Sequence, residues 1–307
     1  MTSNIPLDAS FPDAKATEIF EFLIREVQSY VHLHLSNAQL DPDKLDKLPT
    51  YFTNHLEFYG YIWLRSGHPR RFVLENILWR FLDASIFSKY VFGADIDWDQ
   101  KLRELESTMA RHEQKETVAA WRAFTVGMLY RNPDSHDTRL KSLQDLVDSF
   151  DEMVYPLCGE PSEERQRALL QIAMTAAEIH FVFRKQQVLY ELTFLESYTH
   201  TTCDLFDPEL MFERTDYDKI PGENMATLIE NEFRDATNRQ IIGKNRETQK
   251  RRQQASEVGM SPLQQDDQQM VPGRKNKVAL FVTPALRKMD LKGTVTVLSK
   301  AGVMVGF

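Results

Sequence analysis

Apolar residues recur three and four positions apart through most of residues 12–202, the spacing that lines one face of an α-helix. In FPDAKATEIFEFLIREVQSYVHLHL, Ile19, Phe22, Leu23, Val27 and Tyr30 share such a face, with Pro12 and Asp13 near its start. DPDKLDKLPT interrupts the pattern with Pro42 and Pro49, since proline removes a backbone donor and blocks the preceding turn. The aromatic-rich segment 50–65 (TYFTNHLEFYGYIWLR) predicts a second helix, and SGHPRR a turn. RFVLENILWRFLDASIFSKYVF (71–92) is apolar around most of its circumference, as expected of a helix with neighbours on several sides.

Three amphipathic segments follow. Residues 98–112 carry Leu102, Leu105 and Met109; residues 115–131 carry Val118, Trp121, Phe124/Thr125 and Met128; residues 137–154 carry Leu140, Leu143, Val147, Phe150 and Val154. Pro133 in NPDSHD marks a stop between the last two. PLCGEPSEE is the next break, with Ser162 placed as an N-cap and Glu163 and Glu164 in the first turn. The helix predicted from there, EERQRALLQIAMTAAEIHFVFRKQQVLYELTFLES, is the longest. Its stripe runs Leu169, Ile172, Ala173, Ala176, Ile179, Phe183 and Gln186/Gln187.

Beyond Thr202 the pattern weakens, with a short helix predicted from Glu223 to about Gln240. Residues 243–276 are rich in Gln, Arg and Asp and poor in core-forming side chains, which predicts a flexible linker. The period then changes to two. KVALFVT (277–283) and GTVTVLS (293–299) read as strands, and AGVMVGF (301–307) as an extension of the second. The fold expected is mainly α: a single multi-helix bundle of seven or eight helices over 12–202, its domain running to 240. A flexible N-terminus (1–11), a disordered basic linker (243–276) and a small β-hairpin-like tail (277–307) complete it.

A chain of 307 residues with 42% hydrophobic residues can build a sizeable core. Charge adds an asymmetry that periodicity does not show. The net −8 divides into +7 over 241–307, from 12 Lys/Arg against 5 Asp/Glu, and −15 over 1–240, from 25 against 40. An acidic body with a basic tail points to self-docking or to steering of partners. MTSNIPLDASFPDAKA has no basic region followed by an apolar run, and the densest apolar stretch, 72–82, is broken by Glu75, Asn76 and Arg80. A cytoplasmic or nuclear protein is therefore expected, neither secreted nor membrane-spanning. Cys158 and Cys203 form no CxxC pair and read as buried thiols.

Candidate chemistry is sparse. In DIDWDQKLRELE, Asp95, Asp97, Asp99 and Glu106 fall at positions 1, 3, 5 and 12 of a calcium-binding loop. Gln100 occupies the place of the turn glycine and Arg103 that of position 9, while Leu102, Leu105 and Met109 already mark a helix. The competing reading is a helix start that favours nearby carboxylates. His32 and His34 point about 200° apart on a helix, and His180 has no metal-ligating neighbour at helical spacing, so no zinc pattern arises. No GxSxG elbow occurs, and GKNRETQKRRQQ (243–254) lacks the remaining residues of a phosphate loop. Its Lys250, Arg251 and Arg252, with Arg274 and Lys275, resemble a nuclear address. No aromatic residue interleaves the charge between Ile242 and Ala279, which places nucleic-acid binding third, behind linker and address.

RFVLENILWRFLDASIF…FGADIDWDQKLRELE with the WRAFT segment, and the tail KVALFVTPALRK…GTVTVLSKAGVMV, resemble helical proteins of unassigned activity predicted from filamentous-fungal genomes. The likeness spans most of the chain through diffuse aromatic and apolar positions. It implies a fungal intracellular helical protein and carries over no catalytic residue and no cofactor. The function expected is a non-enzymatic interaction or regulatory protein, whose C-terminal strands pair with a protein partner or with the chain itself. The alternative is a helical enzyme or carrier for an apolar small molecule, accessory to specialised metabolism.

Overall fold

The computed structural model describes residues 11–35, 70–94, 96–194, 211–213 and 277–306. The helix predicted at 50–65, that at 223–240, the 243–276 linker and the nuclear-address cluster lie outside them. Among the described residues there are six α-helices: α1 (Asp13–Tyr30), α2 (Arg70–Leu82), α3 (Ile96–His112), α4 (Lys115–Arg131), α5 (Pro133–Cys158) and α6 (Glu163–Arg184). Single π-helical turns, Val31–Leu35 and Asp83–Phe87, extend α1 and α2. The mainly helical class with a small strand tail is as the periodicity predicts.

Helix α1 starts at Pro12, whose carbonyl accepts from the amides of Lys15 and Ala16. It buries Ala16, Phe20, Leu23, Val27 and Tyr30, spaced three and four apart. The face is turned slightly from the one expected, leaving Phe22 exposed. Helix α2 is central, with every residue from Phe72 to Trp79 buried. Trp79 meets Phe20 of α1 with ring centroids 5.7 Å apart, and Phe81 meets Phe150 of α5 at 5.1 Å.

Helix α5 runs through Pro156 to Cys158, farther than the predicted end at Val154. It stops where Gly159 takes a left-handed φ of 68°, a conformation that costs glycine little. Ser162 caps α6 as expected, its Oγ accepting from the Arg165 amide at 3.1 Å. Helix α6 then packs against α1, α4 and α5 through a stripe that includes Ala173, Ala176 and Ala177. These small side chains let neighbouring backbones come close.

The largest departure from expectation lies at the end of α6. The helix stops at Arg184, and Leu189–Thr193, predicted to be its last turns, form strand β1. The strands that follow are β2 (Met211–Glu213), β3 (Lys277–Thr283), β4 (Ala285–Met289), β5 (Val295–Ser299) and β6 (Ala301–Gly306). They make two three-stranded sheets, ordered β1-β4-β5 and β2-β6-β3. The tail therefore has four strands where the alternation predicted two or three. Strand 277–283 is not the hairpin partner of 295–299; that partner is β4, antiparallel, with a register shift between Leu286 and Arg287.

Strand β4 also pairs antiparallel with β1 over five residues, from Leu189↔Met289 to Thr193↔Ala285. Residues 278–305 thus fold into one compact unit with the helices. Lys288 Nζ reaches Asp13 Oδ1 of α1 at 2.6 Å. Leu286, Ala285 and Thr283 are fully buried beneath this junction. The tail pairs on its own body.

Candidate functional site

Where the tail meets the helices, the surface opens into a pocket of about 550 Å³. Its walls come from α3, α4, the last turn of α6, strand β1 and the β4–β5 turn. That turn is shaped locally: Asp290 Oδ1 accepts from the Thr294 amide at 2.8 Å. Gly293 has a φ of 86°, and the ammonium of Lys115 lies 3.9 Å from where a β-carbon would stand. Met289 and Leu291 bring apolar surface from the tail to face Val118 and Ala119 of α4.

Charged groups of both signs line the cavity, and most are tied to one another. Arg122 is buried on α4 and donates from Nη1 to Glu106 Oε1 of α3 at 3.0 Å. Its Nη2 donates to the carbonyls of Gln186 and Gln187, at 3.2 and 2.9 Å. Those carbonyls lie just beyond the end of α6, so one guanidinium fastens α3, α4 and the α6–β1 connection together. Arg103 donates from Nε to Asp99 Oδ2 at 2.9 Å, and from Nη2 to the Ser88 carbonyl. Asp99 Oδ1 accepts from the Tyr90 amide.

Arg184 is placed differently. Its guanidinium lies over the Tyr90 ring, 4.5 Å from the centroid, and Nε donates to the Tyr90 carbonyl at 3.4 Å. Burial first, and then the nearby charge of Arg122, disfavour its cationic form and lower its pKa. Burial, followed by the Glu106 carboxylate, raises the Tyr90 phenol well above the usual tyrosine range. Next to this wall, His180 is buried with Nε2 2.9 Å from the Lys89 carbonyl. A carbonyl only accepts, so the ring carries a proton on Nε2. Burial, reinforced by Arg184, pulls its pKa down to about 3.

The calcium candidates do not come together among the described residues. Asp97 and Asp99 occupy the first turn of α3, Glu106 lies farther along the same helix in its pair with Arg122, and Asp95 lies outside the described set. No group of three or more His, Cys, Asp or Glu side chains is arranged to hold a metal ion among the described residues. Lys250, Arg251, Arg252, Arg274 and Lys275 are likewise outside it. No described helix is long and apolar enough to cross a membrane.

Sequence reasoning did not single out Arg122, Arg184 or Tyr90. One signal was present. Arg122 stands four residues from both Val118 and Val126, a cation in the middle of a buried face. A charge there requires a partner from another element, and Glu106 supplies it. No family model matches this chain, and no curated protein or solved structure matches it either.

Proposed function

We propose that the chain is a non-enzymatic binding protein, a helical carrier or regulatory component that holds a small organic molecule in the pocket closed by its own C-terminal strands. The observation that carries this reading is the composition of the cavity wall. Helices supply one side and the β4–β5 turn the other of an open pocket of about 550 Å³. That volume falls within the range of about 300–1,000 Å³ typical of small-molecule sites. Apolar and charged surfaces face each other across it, which gives a ligand both area to bury and groups to orient it.

The state of the charged groups supports binding over acid–base chemistry. Glu106 is engaged by Arg122 and Asp290 by the backbone of its own turn. These contacts fix the walls. The tail strands, expected to pair with a protein partner or with the chain itself, reach the body through the pairing of β4 with β1, so the tail acts in this reading as one wall of the site.

Ala110 is exposed on α3 and lines the pocket, so Ala110→Trp fills the cavity from a position outside the core. A thermal-shift screen of small organic acids, amines and neutral compounds tests the proposal. Compounds that raise the melting temperature of the wild type are expected to lose that effect on Ala110→Trp. Equal shifts for both proteins would place binding elsewhere and reject the site.

A further inference from the structure

We infer that the ligand is a small organic anion carrying a single negative charge on an apolar body, with its carboxylate, or an acid group of like size, seated on Arg184. This rests on the junction pocket being a ligand site, and it goes further by naming the chemistry that the site recognises.

Arg184 and Lys115 are the two lining cations that have no acid partner among the described residues, and Arg184 is the one that contacts with Tyr90 hold in place. Among the described residues its Nε alone has a hydrogen-bond acceptor, and no carboxylate stands within ion-pair distance of it. Stacking on Tyr90 fixes the plane of the guanidinium, so its remaining N–H groups form a preset fork for a planar carboxylate. It belongs to the last turn of α6, where the carbonyl end of the helix already favours a cation. The acids nearby are committed elsewhere: Glu106 to Arg122 and Asp99 to Arg103.

The charge of the whole wall decides between a monoanion and a polyanion. Four Lys/Arg side chains are balanced by four Asp/Glu side chains among the lining residues. Glu113 and Glu191 are exposed and lie toward solvent. A nucleotide or a polyphosphate would meet these carboxylates, and no cluster of spare cations offsets them. A single carboxylate needs only Arg184. Val118, Ala119, Leu189 and Met289 offer apolar surface for the rest of the molecule. Met289 belongs to the tail, so the ligand touches both parts of the fold.

The test compares 2-naphthoate with its neutral isostere 2-naphthamide by calorimetric titration of the full chain. Wild type is expected to bind the acid about tenfold or more tighter than the amide, the ratio expected of a charge-assisted hydrogen-bonded pair. Arg184→Gln is expected to abolish that ratio, and Arg184→Lys to keep part of it. Equal affinity of wild type for both probes, lost in Ala110→Trp, would overturn the anion assignment and leave the pocket as a site for neutral ligands. Absence of binding by either probe at millimolar concentration would overturn this inference together with the reading on which it rests.

Discussion

His180 is held neutral in the core, and that makes it the residue whose titration reports most directly on folding. In the unfolded chain an imidazole takes up its proton near pH 6.5; in the folded chain burial lowers the pKa to about 3. Between those values the unfolded state binds the extra proton. His180 therefore removes stability as pH falls through this window, by up to about 1.4 kcal/mol per pH unit, and contributes no pH dependence above about pH 7.5. His180→Gln retains an uncharged donor for the Lys89 carbonyl. Urea unfolding from about pH 6 to about pH 4 should show a shallower loss of stability for this variant than for wild type. Parallel curves would mean that the ring is not buried as a neutral base. At this scale the sequence was readable where the partner is local. Ser162 and the Arg165 amide are three residues apart, so the cap is visible in SEE. The Arg122–Glu106 pair spans two helices, and the Arg184–Tyr90 contact joins residues 94 positions apart, so neither has a local signature.

Helix α4 shows how one long-range pair overrides an apolar pattern. Its sequence predicts Val118, Trp121, Phe124/Thr125 and Met128 on the buried face, yet Phe124 and Met128 are 57% and 58% exposed. The buried face is instead Val118, Ala119, Arg122, Ala123, Val126 and Gly127. Arg122 is turned inward, where Glu106 and the Gln186 and Gln187 carbonyls offset the cost of burying its charge. Phe124→Gln should therefore change stability by no more than about 0.5 kcal/mol, the usual range for surface positions. A loss of about 3 kcal/mol or more, as for a core phenylalanine, would restore the face that the periodicity favours. The end of α6 teaches the same lesson. QQVLYELTFLE is built largely of good helix formers, and only pairing with β4, nearly a hundred residues later, makes LYELT a strand. Strand β4 (ALRKM) has no β-branched residue and gives no strand signal of its own, whereas KVALFVT alternates and predicts the bounds observed for β3.

For the whole molecule, the helical class and the strand tail were legible because periods of 3.6 and 2 are properties of single segments. The pocket was not, because its walls are separate elements that meet only when the tail folds back. The charge asymmetry carried the hint. A basic tail on an acidic body docks in part through Lys288 on Asp13, and Arg287 stands opposite Glu191 in the β1–β4 register. This docking in cis brings the β4–β5 turn against the helices and so builds the site. Lys288 Nζ and Asp13 Oδ1 lie 2.6 Å apart, within reach of a zero-length carbodiimide cross-link on the unmodified protein. A mixture of normal and nitrogen-15-labelled chains, cross-linked and analysed by peptide mass spectrometry, is predicted to yield the Asp13–Lys288 amide only within chains of one isotope. Mixed-isotope linkages, or no linkage between these two residues, would contradict a tail that closes on its own body.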